Sequence, residues 1–230
     1  FSILLLNSDN GYSSYRDREF KSYHNEQGEF TVNGAYPGTV HLMFRSPGLA
    51  DQTVTVDGVR SAETLEGIVV SLEAGLSLTG VVRNIDGAAL PGAYLYIGSL
   101  PRSEWEYERE EKATADAGGN YRLDSLPSGP VTIAAYAKGY LGQSATVEMR
   151  GPNTTYDFVL NTGGTVEGYV YVNGVAHAGA NIYGSSQGPA GQQNVQSTTD
   201  STGFYQIAGL AEGTVSVNAS YNDGVQQRNL

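Results

Sequence analysis

Asn25-Glu26-Gln27-Gly28-Glu29-Phe30-Thr31-Val32, Asp116-Ala117-Gly118-Gly119-Asn120-Tyr121-Arg122-Leu123 and Asp200-Ser201-Thr202-Gly203-Phe204-Tyr205-Gln206-Ile207 spell one pattern three times. An aromatic residue stands two places after the turn glycine in every copy: Phe30, Tyr121 and Tyr205. A second glycine follows at a constant distance, Gly28 to Gly38, Gly119 to Gly129 and Gly203 to Gly213. A fixed internal period marks an array of like modules and argues against a single enzyme domain. Successive copies lie 91 (119−28) and 84 (203−119) residues apart. Modules of that size fall in the usual domain range of roughly 50–250 residues.

The unit has a physical reading. Gly119 and Gly203 close a turn that Asp116 and Asp200 cap by side-chain-to-backbone hydrogen bonds. Tyr121, Tyr205 and Phe30 are then core aromatics on a returning strand, or tyrosines whose hydroxyl reaches the edge of a sandwich. Outward from the turns, period-two alternation replaces any helical pattern. Residues 165–172 put Val166, Val170 and Val172 on one face, with Tyr169 and Tyr171 on the other. Leu76, Leu78 and Val82 share a face, and so do Val40, Leu42 and Phe44, with His41 pointing outward. One face in and one face out predicts antiparallel sheets packed on one side. Asp57-Gly58, Asp86-Gly87, Asn173-Gly174 and Asp223-Gly224 supply the positive φ of tight hairpin turns.

The 230 residues are 40% hydrophobic and 16% charged, which suits packed cores and excludes a disordered chain. A net charge of −11 disfavours nucleic acid and anionic membrane surfaces as partners, since both need a basic face. No stretch approaches the roughly 18 apolar residues of a membrane span. With 0 cysteines, disulfides, thiol catalysis and thiolate metal sites are excluded. The chain begins at Phe1, so upstream residues are expected to have been removed or omitted.

The order of residues is more specific. Gly80-Val81-Val82, Asp86-Gly87, Pro91-Gly92-Ala93, the run from Thr114 through Asp116, Gly119 and Tyr121 to Leu123, and Leu126-Pro127-Ser128-Gly129-Pro130-Val131-Thr132-Ile133 follow one another. This order resembles the carboxypeptidase regulatory-like domain, best in residues 74–162. The resemblance implies an all-β fold of three tandem transthyretin-like, Ig-like antiparallel β-sandwich modules, at 1–73, 74–162 and 163–230. The Cna-B-type modules of surface adhesins are similar in pattern. Their lysine–asparagine crosslink needs a lysine on the first strand. Residues 76–85 and 165–172 contain none, so no such crosslink is expected in the second and third modules.

The first and last modules read as incomplete. Phe1-Ser2-Ile3-Leu4-Leu5-Leu6 matches residues 93–97, which leaves the first module without an opening strand. The third module stops at Leu230, before any counterpart of Tyr156-Asp157-Phe158-Val159-Leu160. The chain is therefore expected to be a window on a longer array, or else a neighbouring molecule completes each sandwich, since an exposed edge must be paired or covered.

Candidate chemistry is sparse. His24, His41 and His177 sit in a polar connection, on an outward face and in a turn, and their register suggests no catalytic triad. Asp116 and Asp200 are single carboxylates, short of a calcium loop. No metal or cofactor is expected. The long connections 7–21, 99–112 and 184–197 carry Tyr12, Tyr15, Trp105 and Tyr107. Trp105 and Tyr107 read first as one face of an alternating hairpin strand, and are also suited to stacking on a glycan or anchoring a partner protein. Asn153 and Asn218 open N-x-[ST] sequons, with Asn153 placed in a loop. Together these readings point to a non-catalytic structural region of an extracellular or cell-surface protein, a stalk, adhesin or filament element. The short joints at 73–75 and 161–164 favour a semi-rigid rod. The partners are adjacent repeats or copies of the chain. An accessory module binding glycan or protein, within a larger secreted protein or hydrolase, is the alternative. A fragment of residues 1–73 is expected to show no cooperative thermal transition by circular dichroism.

Overall fold

The structure is a computed structural model that describes residues 1–7, 20–98, 113–188, 191–222 and 227–229. Every regular element among them is a strand. In chain order these are β1 (Ser2–Asn7), β2 (Lys21–Ser22), β3 (Gly38–Arg45), β4 (Gln52–Val59), β5 (Leu76–Asn84), β6 (Tyr94–Ile97), β7 (Ala113–Thr114), β8 (Asn120–Leu126), β9 (Gly129–Tyr136), β10 (Gln143–Met149), β11 (Asn153–Thr155) and β12 (Phe158–Leu160). They continue with β13 (Gly164–Tyr169), β14 (Tyr171–Val172), β15 (Val175–Ala176), β16 (Asn181–Gly188), β17 (Gly191–Thr198), β18 (Phe204–Leu210), β19 (Val215–Asn222) and β20 (Gln227–Asn229).

Three four-stranded sheets have the same order: β2-β1-β3-β4, β7-β6-β9-β10 and β17-β16-β19-β20. A second layer forms from β11, β5 and β12, with β8 also on β5, and its later counterpart is β13 on β18. By internal packing the chain divides into two compact units. One holds Phe1–Leu78, Asp124–Gly129 and Met149–Thr154, the other Thr79–Leu123, Pro130–Glu148 and Thr155–Leu230.

In the first unit β3 buries Val40, Leu42 and Phe44, as its alternation predicts. His41 faces outward, its Nδ1 3.0 Å from Thr55 Oγ1. Phe30 packs edge-on against Phe44 with ring centroids 5.2 Å apart, so it is a core aromatic. It does not lie on a returning strand, because residues 30–37 pair with no strand. The strand that would pair with them, a counterpart of β5, is absent from the described residues. Asp57-Gly58 also departs from the reading as a hairpin turn. These two residues face the single Thr39 across a break in the β3–β4 register, a β-bulge with Gly58 at φ 73°. Thr39 Oγ1 donates to Asp57 Oδ1 at 2.7 Å there.

In the second unit one set of backbone bonds occurs twice. Val82 N donates to Gly119 O at 2.8 Å, and Val170 N to Gly203 O at 2.8 Å. Leu90 N then donates to Val82 O, and His177 N to Val170 O, at 2.9 and 3.0 Å. Tyr121 is 4% exposed, and its hydroxyl donates to Tyr156 O at 2.7 Å. It is thus both the core aromatic and the edge-reaching tyrosine that its position implies. Burial, with Asp157 and Tyr156 nearby, pushes its phenol well above the ordinary range. Gly80 makes room for this ring, since a Cβ there would meet Tyr156 O and lie 2.9 Å from Tyr121 Cε1. Gly168 does the same for Tyr205, its cross-strand partner, at 2.8 Å.

The pairing is not wholly antiparallel. β12 runs parallel to β5, with Phe158 opposite Val82 and Leu160 opposite Asn84. Alternation along a strand fixes which face is buried but not the direction of its neighbour, so the sequence could not reveal this. Phe158 and Leu160 are 0% exposed. In chemical denaturation, Phe158→Ala is expected to cost about 3–5 kcal/mol, and Tyr121→Phe about 1 kcal/mol.

Candidate interaction surface

The repeated turns are capped as the sequence implies. Asp116 Oδ1 accepts from Gly118 N and Asn120 N, both at 2.8 Å. Asp200 Oδ1 accepts from Thr202 N at 2.8 Å and Phe204 N at 3.1 Å. Asn25 does the same in the first copy, its Oδ1 accepting from Glu29 N at 2.7 Å. The turn glycines Gly28, Gly119 and Gly203 hold φ of 72°, 77° and 77°, a region that L side chains avoid. The donors hold both aspartates below the usual carboxylate range. The chief cause is the Asn120 side chain for Asp116 and the Thr202 side chain for Asp200. Asp116 Oδ1 and Asp200 Oδ1 each accept two backbone amides of the turn, a structural role for both exposed carboxylates.

Two backbone joints share one geometry. In the first, Gly75 N donates to Gly48 O at 3.0 Å and Ala50 N to Glu73 O at 2.9 Å, flanking an antiparallel bridge between Leu49 and Ala74. In the second, Gly163 N donates to Gly139 O at 3.0 Å and Leu141 N to Asn161 O at 2.8 Å, around Tyr140 and Thr162. The backbones come close at both places. A Cβ on Gly75 would lie 2.8 Å from Ser125 Cα, and one on Gly163 would meet Gly209 Cα. Ser125 and Gly209 occupy equivalent positions and both have positive φ, 61° and 93°. The second joint adds Gln193, 2% exposed, whose Oε1 accepts from Gly142 N at 3.0 Å.

An aromatic strip lies on the outer face of the β13–β18 layer. Tyr169 and Tyr171 are 58% and 56% exposed, with stacked rings 6.3 Å apart, and Phe204 lies 5.3 Å from Tyr169. Alternation in residues 165–172 already placed both tyrosines outward. Alternation gives the facing of these tyrosines but no sign that their rings stack. Tyr12, Tyr15, Trp105 and Tyr107 lie outside the described residues, as does Asp223-Gly224. Asn153 is exposed, but in β11, where its segment pairs with β5, and not in a loop. Asn218 is exposed on β19, opposite Tyr183. His24 is exposed, and His177 packs against Tyr221 at 4.8 Å. No group of three or more His, Cys, Asp or Glu among the described residues is placed to hold a metal ion. No helix among them is long and apolar enough to cross a membrane.

The stretch from β5 to β12, with its capped turn, parallel closing strand and buried tyrosine, has a known counterpart. Residues 77–161 match the family model of the carboxypeptidase regulatory-like domain. No curated protein matches the chain. Among solved structures it is similar to a streptococcal ancillary pilin at 12% identity, over 100% of this chain and 87% of that one, with a TM-score of 0.29. It is also similar to the Bacillus anthracis TIE protein, at 16% identity over 96% and 45% of the two chains, TM-score 0.29. A third is the minor pilin of Streptococcus agalactiae, at 16% identity over 70% and 81%, TM-score 0.30. At these TM-scores the likeness carries no argument.

Both aspartates have depressed folded-state values, so their contribution is complete above the ordinary carboxylate range and is lost as pH falls through the folded value. Carboxyl resonances of Asp116 and Asp200 are expected to titrate below the ordinary aspartate range by NMR. Gln193→Ala leaves the Gly142 amide without its acceptor, and an unfolding cost of about 1–3 kcal/mol is expected in denaturant.

Proposed function

We propose that the chain is a non-catalytic structural repeat region of an extracellular or cell-surface protein, working as a stalk, adhesin or filament element. Its modules are residues 1–73, 74–162 and 163–230. The observation that carries this reading is the twice-made joint, in which the same backbone groups bond at Gly48–Gly75 and again at Gly139–Gly163. A repeat held to its neighbour by backbone bonds presents the same connection whatever its side chains do. The partners on this reading are further repeats of the same kind or copies of the chain.

Turn capping at Asp116 and Asp200, burial of Tyr121 and the Arg45–Asp51 ion pair give the shifted side chains structural roles, which supports this reading. The exposed strip of Tyr169, Tyr171 and Phe204 favours a second reading, an accessory module that binds a glycan or a protein through aromatic stacking.

Immunogold electron microscopy with antibodies to residues 74–162 tests the first reading. Label on surface structures of intact cells, removed by external protease, is expected. Label confined to the cell interior overturns it.

A further inference from the structure

Building on the accessory-module reading, we infer that the aromatic strip of the β13–β18 layer binds a neutral polysaccharide. Uncharged pyranose rings lie along Tyr171, Tyr169 and Phe204, with their hydroxyls on Glu167 and Gln206.

This face has a counterpart within the same compact unit. Val170 N bonds to Gly203 O as Val82 N bonds to Gly119 O, and Tyr205 passes Gly168 as Tyr121 passes Gly80. In this register Tyr169, Tyr171 and Phe204 stand where Val81, Arg83 and Asn120 stand, and Glu167 and Gln206 where Thr79 and Arg122 stand. The outer face around β5 stays open although β12 completes that layer: Arg83, Asn120 and Arg122 are all exposed. The fold therefore accepts polar side chains at these positions and does not require aromatic ones. Around β13 the same positions hold three rings, and Tyr169 and Tyr171 are both exposed. Exposed apolar surface gathered on one face marks a contact site.

The strip is not purely apolar. Across the strand pair Tyr169 lies opposite Phe204, and Glu167 lies opposite Gln206. Gln206 Nε2 donates to Glu167 Oε1 at 2.6 Å, and both side chains are exposed. A carboxylate and an amide thus stand together one row along from the rings. From Glu167 to Tyr171 the strip runs about 13 Å, the length of four residues of extended strand. All three rings rise from one sheet face along this line.

These groups select the ligand. A pyranose has an apolar C–H face that packs on an aromatic ring, and a rim of hydroxyls that donate to a carboxylate or an amide oxygen. A chain of such rings fits a long strip. A compact alkylammonium group is held best by rings that close around it, whereas these rings share one surface. Charge disfavours acidic sugars. Residues 163–230 hold Arg228 as their one basic residue, against Glu167, Asp200, Glu212 and Asp223. A uronate beside Glu167 would meet a like charge.

The test uses the whole chain. Cellohexaose, mannohexaose and xylohexaose are the neutral probes, hexagalacturonate the acidic one and hexalysine the cationic one, with immobilised collagen and fibrinogen as proteins. Saturable binding of at least one neutral hexasaccharide is expected by calorimetry, with saturation-transfer NMR placing sugar C–H protons against tyrosine rings. Tyr169→Ala and Tyr171→Ala are each expected to weaken binding at least about tenfold, with the thermal transition retained. Val81→Ala, at the equivalent position of the other layer, is expected to leave binding unchanged. An absence of binding by all three neutral sugars at millimolar concentration overturns the inference. So does equal binding by the tyrosine variants, or a preference for hexagalacturonate or hexalysine. Tyrosine-dependent binding to a protein probe, with none to the sugars, overturns it but leaves the accessory-module reading standing. When neither sugar nor protein binds, both fall.

Discussion

The contact on which the rest depends is the one between a turn glycine and the opening strand of its sandwich. Gly119 lies so close to β5 that a Cβ on it would be 2.6 Å from Val82 O, and Gly203 lies at the same distance from Val170 O. Only a residue without a side chain, held at positive φ, brings its carbonyl to the Val82 or Val170 amide. That bond sets the register of the returning strand, which in turn aims Tyr121 or Tyr205 across Gly80 or Gly168. In the first copy no such strand stands beside the turn among the described residues. Gly28 keeps its φ of 72°, yet a Cβ on it would meet nothing within 4 Å. The residues after it pack through Phe30 but form no strand. The turn is a local property of the sequence, whereas the strand that leaves it requires a neighbour.

Much of this was legible in the residues. Asp116, Gly119 and Tyr121 have local roles, cap, turn and core aromatic, and each can be derived from its spacing. The buried faces of β3 and β5 followed from alternation. What stayed hidden depends on pairing. The parallel course of β12, the bulge at Asp57-Gly58 and the strand character of Asn153 are fixed by which segment lies alongside. A dipeptide such as Asp-Gly carries the same φ preference in a hairpin and in a bulge. The tyrosine pair Tyr169–Tyr171 was legible in facing but not in significance, because exposure of one strand face is ordinary until its rings are seen to stack.

The joints show how backbone and side chain divide the labour. Both are made from amides and carbonyls of glycine and its neighbours, and the side chains around them differ: Leu49 and Ala74 in one, Tyr140 and Thr162 in the other. Gln193 reinforces only the second.

The parallel course of β12 beside β5 also has a mechanical consequence. The two strands that carry the chain into and out of this sandwich are neighbours pointing the same way. A pull on both ends of the segment drags them past each other, so their shared hydrogen bonds are loaded in shear and must give way together. Had the neighbours been antiparallel, the same force would have peeled them apart one bond at a time. Resistance to stretching is thus built into the topology, in a place where no single side chain provides it.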